Sequence, residues 1–122
     1  INTVGNAITG AGDSQTLTSG TSAVSNRQSN QTYMRFQSYG GLSTSSSNPA
    51  VIIGQFMNYS NTTTNKTVLS RANQTTGTYP AVEAGVNLWR STSAIDTIKV
   101  FPFTGASLAT GTTLTLYGIA SA

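Results

Sequence analysis

The sequence contains no cysteine and no histidine in its 122 residues. The first absence removes disulfides, thiolate nucleophiles and zinc–thiolate sites, and it accords with assembly in a reducing cytoplasm. The second removes Ser-His-Asp and Cys-His catalytic systems together with imidazole metal ligands. Acidic residues are scarce as well: Asp13, Glu83 and Asp96 are all there are. A glycosidase needs two carboxylates about 5–10 Å apart. Here Glu83 and Asp96 read as surface acids near Arg90 and Lys99, and three scattered carboxylates make a poor calcium cage. No glycine-rich phosphate loop leads into a helix. The expectation is a protein that is not an enzyme and takes no cofactor and no metal.

Long apolar runs are missing too. A membrane-spanning helix needs about 18–20 such residues, whereas the longest run is Ala50-Val51-Ile52-Ile53. No membrane partner is expected, and no signal peptide is visible in the sequence. Positive charge is thin: Arg27, Arg35, Lys66, Arg71, Arg90 and Lys99 give a net +3 and a pI near 9.6. Gripping a phosphate backbone takes cations clustered on one face. These are widely spaced, so nucleic acid is not an expected partner.

What the sequence does have is hydroxyl groups. Serine and threonine supply 37 of the 122 residues, accompanied by many Asn and by 12 Gly. A neutral, hydroxyl-rich surface suits disordered linkers or β-rich proteins living outside cells, virion shells and adhesins among them. Disordered chains lack aromatic and β-branched residues, whereas here Ile, Val and Phe gather in short blocks. Five Asn-x-Ser/Thr triplets begin at Asn30, Asn58, Asn61, Asn65 and Asn73. In a composition so rich in these residue types we read them as compositional rather than as glycosylation sites.

Helix periodicity is nearly absent, and strand signals recur between Gly, Asn, Ser and Thr clusters. Strands are predicted over residues 31–39, 50–59, 66–72, 81–89, 95–103 and 112–119. Residues 50–59, the most hydrophobic stretch, are predicted to form a central strand covered on both faces. In residues 81–89, Val82, Ala84, Val86 and Leu88 share a face. The predicted core is Phe36, Ile53, Val86, Leu88, Ile98 and Leu116. Residues 1–26 read as a loose extended segment, a candidate arm, with contacts at Val4, Ile8, Leu17 and Val24 and a turn at Gly10-Ala11-Gly12-Asp13. Residues 27–122 form one domain. Turns every 8–12 residues or so indicate an all-β sandwich or barrel; we favour a two-sheet antiparallel β-sandwich, jelly-roll-like, over an immunoglobulin-like one.

Aromatic rings offer the remaining candidate chemistry, because a ring face matches the apolar C–H face of a sugar. Tyr33, Tyr39, Tyr59, Tyr79 and Trp89 are the candidates. Trp89 has a competing role in the core, and the tyrosines can equally cover sheet edges. Candidate ligand or subunit contacts are therefore Tyr33, Tyr39, Arg35, Trp89 and Arg90.

The C-terminal half carries a more specific pattern. Asn65-Lys66-Thr67 is followed by Trp89-Arg90-Ser91-Thr92-Ser93-Ala94-Ile95. The close comes on Gly111-Thr112-Thr113-Leu114-Thr115-Leu116-Tyr117-Gly118-Ile119. This succession resembles a β-sandwich domain of tailed-bacteriophage virion proteins. The resemblance implies a structural protein on the virion exterior, assembled in the host cytoplasm, serving as capsid decoration (cement) or fibre-associated domain. Its partners would be other virion proteins and further copies of itself, a trimer by analogy with shell proteins. The alternative is a carbohydrate- or host-receptor-binding module of a phage tail, with a glycan as ligand.

Overall fold

A computed structural model of the chain describes residues 12–19, 23–37, 49–74, 81–103 and 107–119. Five strands are formed: β1 (Gly12–Ser19), β2 (Ala23–Gln31), β3 (Val51–Met57), β4 (Lys66–Gln74) and β5 (Ala81–Trp89). They make one antiparallel sheet in the order β2-β1-β5-β4-β3, with no helix among the described residues. The protein is all-β as predicted. A second sheet is not part of the described structure.

Two elements begin or end as the sequence indicates. Strand β5 coincides with the predicted strand, and β4 starts at the predicted Lys66. The polar turn between β3 and β4 is organised by Asn61, whose Oδ1 accepts from the amides of Thr63 and Thr64 at 2.7 and 2.8 Å. This is the side-chain mimicry of a backbone turn that makes Asn common in such places. Asn58, at the exit of β3, adopts φ 54°, a left-handed conformation that Asn tolerates better than most residues.

Four differences from the sequence reading matter. The N-terminal segment is not a free arm beyond Gly12: β1 lies between β2 and β5, inside the sheet, and β2 runs across the expected boundary at residue 26. The glycine turn likewise gives way to strand at Gly12 and Asp13. Val4 and Ile8 lie outside the described residues. Hydroxyl and amide side chains concealed these strands, because they carry no hydrophobic alternation to detect. Residues 32–37, predicted as strand, form instead an irregular crossing segment that covers one face of the sheet. Residues 95–103 contribute only a single bridge, at Lys99, and residues 112–119 form no regular element and pair with no strand among the described residues. Finally, β3 is an edge strand rather than a central one.

The core lies on the face that residues 32–37 cover. Met34, Phe36, Val68 and Trp89 are buried together, with Ile52 and Phe56 packed against them. Phe36 and Phe56 meet at 6.1 Å between ring centroids. Phe36 lies so close to β3 that a Cβ on Gly54 would stand 2.5 Å from its Cε2; only glycine admits the ring there.

This face is also the opposite of the predicted one along β5. Ala81, Glu83, Gly85, Asn87 and Trp89 point to the covered side, while Val82, Ala84 and Val86 are exposed. Of the predicted core, Phe36 is buried and Leu88 and Ile98 are half-buried. Ile53, Val86 and Leu116 are exposed at 58%, 57% and 76%. Side chains alternate along a strand, so a strand's position can be right while its inward face is reversed. Here the heavier claim belongs to Trp89 and Val68, which pack under Met34. Glu83, expected at the surface, is buried on the same side of β5.

Candidate functional site

Three features stand out from the sheet, and the first is its uncovered face. Side chains alternate to opposite sides of each strand, and the register sets Gln55 against Leu69, and Leu69 against Val86. Ile53, Arg71 and Ala84 follow in the next row of β3, β4 and β5. Val51, Ile53, Met57, Leu69, Val82 and Val86 are all exposed there. A shallow, open hollow of about 390 Å³ lies over Ile53, Leu69, Arg71 and Val86. A neighbouring one of about 540 Å³ lies over Val51, Asn73 and Val82. A contiguous apolar patch of this kind on a protein surface marks contact with another molecule more often than it marks idle surface.

The second feature is the C-terminal segment. At its start, Thr112 donates from its amide to the carbonyl of Ala109 at 3.1 Å, and its hydroxyl donates to the same oxygen at 2.7 Å. Gly111 sits at the third position of this turn with φ 88°, the positive angle that a type II turn requires there. Nothing lies within 4 Å of where its Cβ would be, so backbone conformation alone calls for glycine. Beyond the turn, Leu114, Leu116, Tyr117 and Ile119 are all strongly exposed. The last charged residue of the chain is Lys99, so the whole segment is uncharged.

The third is an aromatic cluster at the border of the covered face. Tyr33 meets Phe101 and Phe103 edge-on, at centroid distances of 6.4 and 5.7 Å. The Arg35 guanidinium lies 4.5 Å from the Phe103 ring centroid, a cation–π arrangement. Phe103 is exposed at 66%.

The sequence-predicted contact residues separate accordingly. Tyr33 and Arg35 come together in the aromatic cluster, both half-buried. Trp89 is wholly buried in the core, so its ring is not offered to a ligand or a subunit. Arg90 is exposed and donates from Nη2 to Asn30 Oδ1 at 2.6 Å, tying the end of β5 to the end of β2. Tyr39 and Tyr79 lie outside the described residues, and Tyr59 is exposed beside the β3–β4 turn. Sequence reasoning missed Phe101 and Phe103, whose Phe-Pro-Phe spacing around Pro102 was the available signal. It missed the uncovered face because those same residues were assigned to the core.

Beneath the sheet the polar residues are structural. Lys66 is wholly buried, and its ammonium donates to the carbonyls of Thr64 and Thr92 at 2.7 and 3.0 Å. Asn87 donates from Nδ2 to Val68 O and to Ser70 Oγ, each at 3.4 Å. Asn87 Oδ1 and Trp89 Nε1 are buried with no hydrogen-bond partner. Among the described residues no three acidic side chains gather as a metal site. In comparisons with known proteins, no family model matches the sequence, and no curated protein or solved structure is significantly similar to it.

Proposed function

We propose that this chain is a non-enzymatic structural protein on the exterior of a tailed-phage virion, acting through contacts with other subunits and with the shell. Capsid decoration or a fibre-associated domain are the two locations that fit. The observation that carries the proposal is the exposed, nearly uncharged apolar face over β3, β4 and β5, accompanied by an exposed, uncharged C-terminal segment. A sheet with one bare apolar face is half of a layered fold. In the proposed jelly-roll-like sandwich, another subunit supplies the second layer over that face. The resemblance of the Trp89–Ile95 and Gly111–Ile119 stretches to phage virion domains points the same way.

A glycan- or receptor-binding role is the second reading, favoured by the exposed Phe103 ring beside Tyr33 and Arg35. The experiment is quantitative mass spectrometry of purified particles from the phage that encodes the chain. Hundreds of copies per particle support capsid decoration, and a handful support a tail or fibre. Absence from washed particles rejects the structural role, and binding on a glycan array then supports the second reading.

A further inference from the structure

We propose that residues 112–119 of one copy add as a strand to the free edge of β3 in a second copy, joining copies head to tail. The inference rests on the assembly role proposed above and supplies the contact that role requires.

The acceptor is an edge that no described strand covers. Strand β3 pairs with β4 on one side and with no other strand among the described residues. An edge strand presents a row of unpaired backbone N–H and C=O groups, and proteins usually blunt such edges with charges, proline or bulges. The β3 sequence Val-Ile-Ile-Gly-Gln-Phe-Met has neither a charge nor a proline, and it pairs with β4 residue for residue with no register shift. Its covered-face residues Ile52 and Phe56 are only half-buried, although they pack on the core. Apolar side chains on both faces of the sheet are therefore left partly exposed at this edge.

The donor has matching length, pattern and charge. Laid out as a strand, the eight residues would reach about 26 Å, and the seven of β3 span about 23 Å at the usual strand rise. In an added strand, Leu114 and Leu116 take one face while Tyr117 and Ile119 take the other. One pair then extends the Val51 and Ile53 surface, and the other closes over Ile52 and Phe56. Backbone pairing supplies the affinity and alternate side chains the specificity, as in other strand-addition complexes.

The occupant is a second copy because the segment does not pair with β3 within its own copy. Within the chain, Leu114, Leu116, Tyr117 and Ile119 are 73–85% exposed, and no described strand pairs with the segment. Two different surfaces of the same molecule that complement each other make a heterologous contact, which closes as a ring or continues as a fibre.

The test disables each half separately in the full-length chain. Leu116→Asp places a charge on the donor and Ile53→Asp places one on the acceptor. Both side chains are exposed, so each variant should keep the thermal midpoint of the unassociated protein. Native mass spectrometry and analytical ultracentrifugation should show association of the unaltered chain, weakened at least about tenfold in either variant alone. Mixing the two variants should restore one contact and yield a heterodimer, since the first retains a working edge and the second a working segment. An unaltered chain that stays monomeric overturns the proposal, because the segment then docks on its own copy or on nothing. Association that survives Leu116→Asp, or a mixture that stays monomeric, also overturns it and points to pairing of the open faces. Particle copy number tests the virion role separately: exchange in solution without incorporation sinks that role alone, and incorporation without exchange sinks this inference alone.

Discussion

Lys66 and Trp89 face each other across β4 and β5, and both are wholly buried. An ammonium group beside an indole in a core is tolerated because the Lys66 head reaches the carbonyls of Thr64 and Thr92. Its aliphatic stem meanwhile fills space as a hydrophobic residue would. The pair pins the β3–β4 turn and the chain leaving β5 to one corner of the sheet.

Lys66→Met should keep the packing and lose the two charge-assisted bonds, costing about 1.5–3 kcal/mol. Lys66→Ala should cost more, because it adds a cavity beside Trp89. Urea denaturation of the two variants checks the order. Equal losses would show that the bonds alone matter and the stem contributes no packing.

Gly54 and Phe36 should be coupled. Gly54→Ala puts a methyl group against the Phe36 ring and should destabilise by roughly 1–3 kcal/mol, the usual range for overpacking. Phe36→Leu should cost less in the Gly54→Ala background than in the unaltered chain. A double-mutant cycle on unfolding free energies gives the coupling. Strict additivity would place the ring elsewhere.

The two faces of the sheet should respond to substitution in opposite ways. Met34→Ala should cost about 2–5 kcal/mol and Trp89→Ala about 3–5 kcal/mol. Val86→Thr and Leu116→Ala should stay within about half a kcal/mol in the unassociated chain. Thermal or urea midpoints decide. A large loss at Val86 with a small one at Met34 would reverse the assignment of inside and outside.

That contrast marks how much was legible in the sequence. The all-β class, the limits of β5 and the start of β4 follow from alternation and from Asn, Ser and Thr punctuation. The inward face does not, because β5 carries Val82, Val86 and Leu88 on one side and a lone Trp89 among small and polar residues on the other. Hydrophobicity favours the first set; packing under Met34 and Phe36 chose the second. Strand β2 was invisible for a different reason: its sequence, Ala-Val-Ser-Asn-Arg-Gln-Ser-Asn-Gln, has almost no apolar content. Of the candidate contacts, Tyr33 and Arg35 were named from the sequence, although the strand predicted to carry them is an irregular segment. Their aromatic partners Phe101 and Phe103 lie far along the chain, beyond the reach of local pattern.

Amide hydrogen exchange should separate the strands from the C-terminal segment. Paired amides of β4 and β5 should be protected, whereas those of residues 113–119 should exchange freely in the unassociated chain and become protected on association. Protection of that segment at concentrations where the chain is monomeric would mean that it docks within its own copy.

Assembly through uncharged surfaces makes its most direct prediction about salt. Of the described side chains on the open face of β3, β4 and β5, Arg71 alone is charged, and residues 112–119 carry no charge. Few ion pairs are then available for screening. Sedimentation equilibrium of the full-length chain from about 50 mM to 1 M salt, a range over which the Debye length shortens several-fold, measures this. The association constant should stay level or rise across the series. A fall of tenfold or more, or a monomer throughout, would contradict assembly by apolar burial and strand pairing.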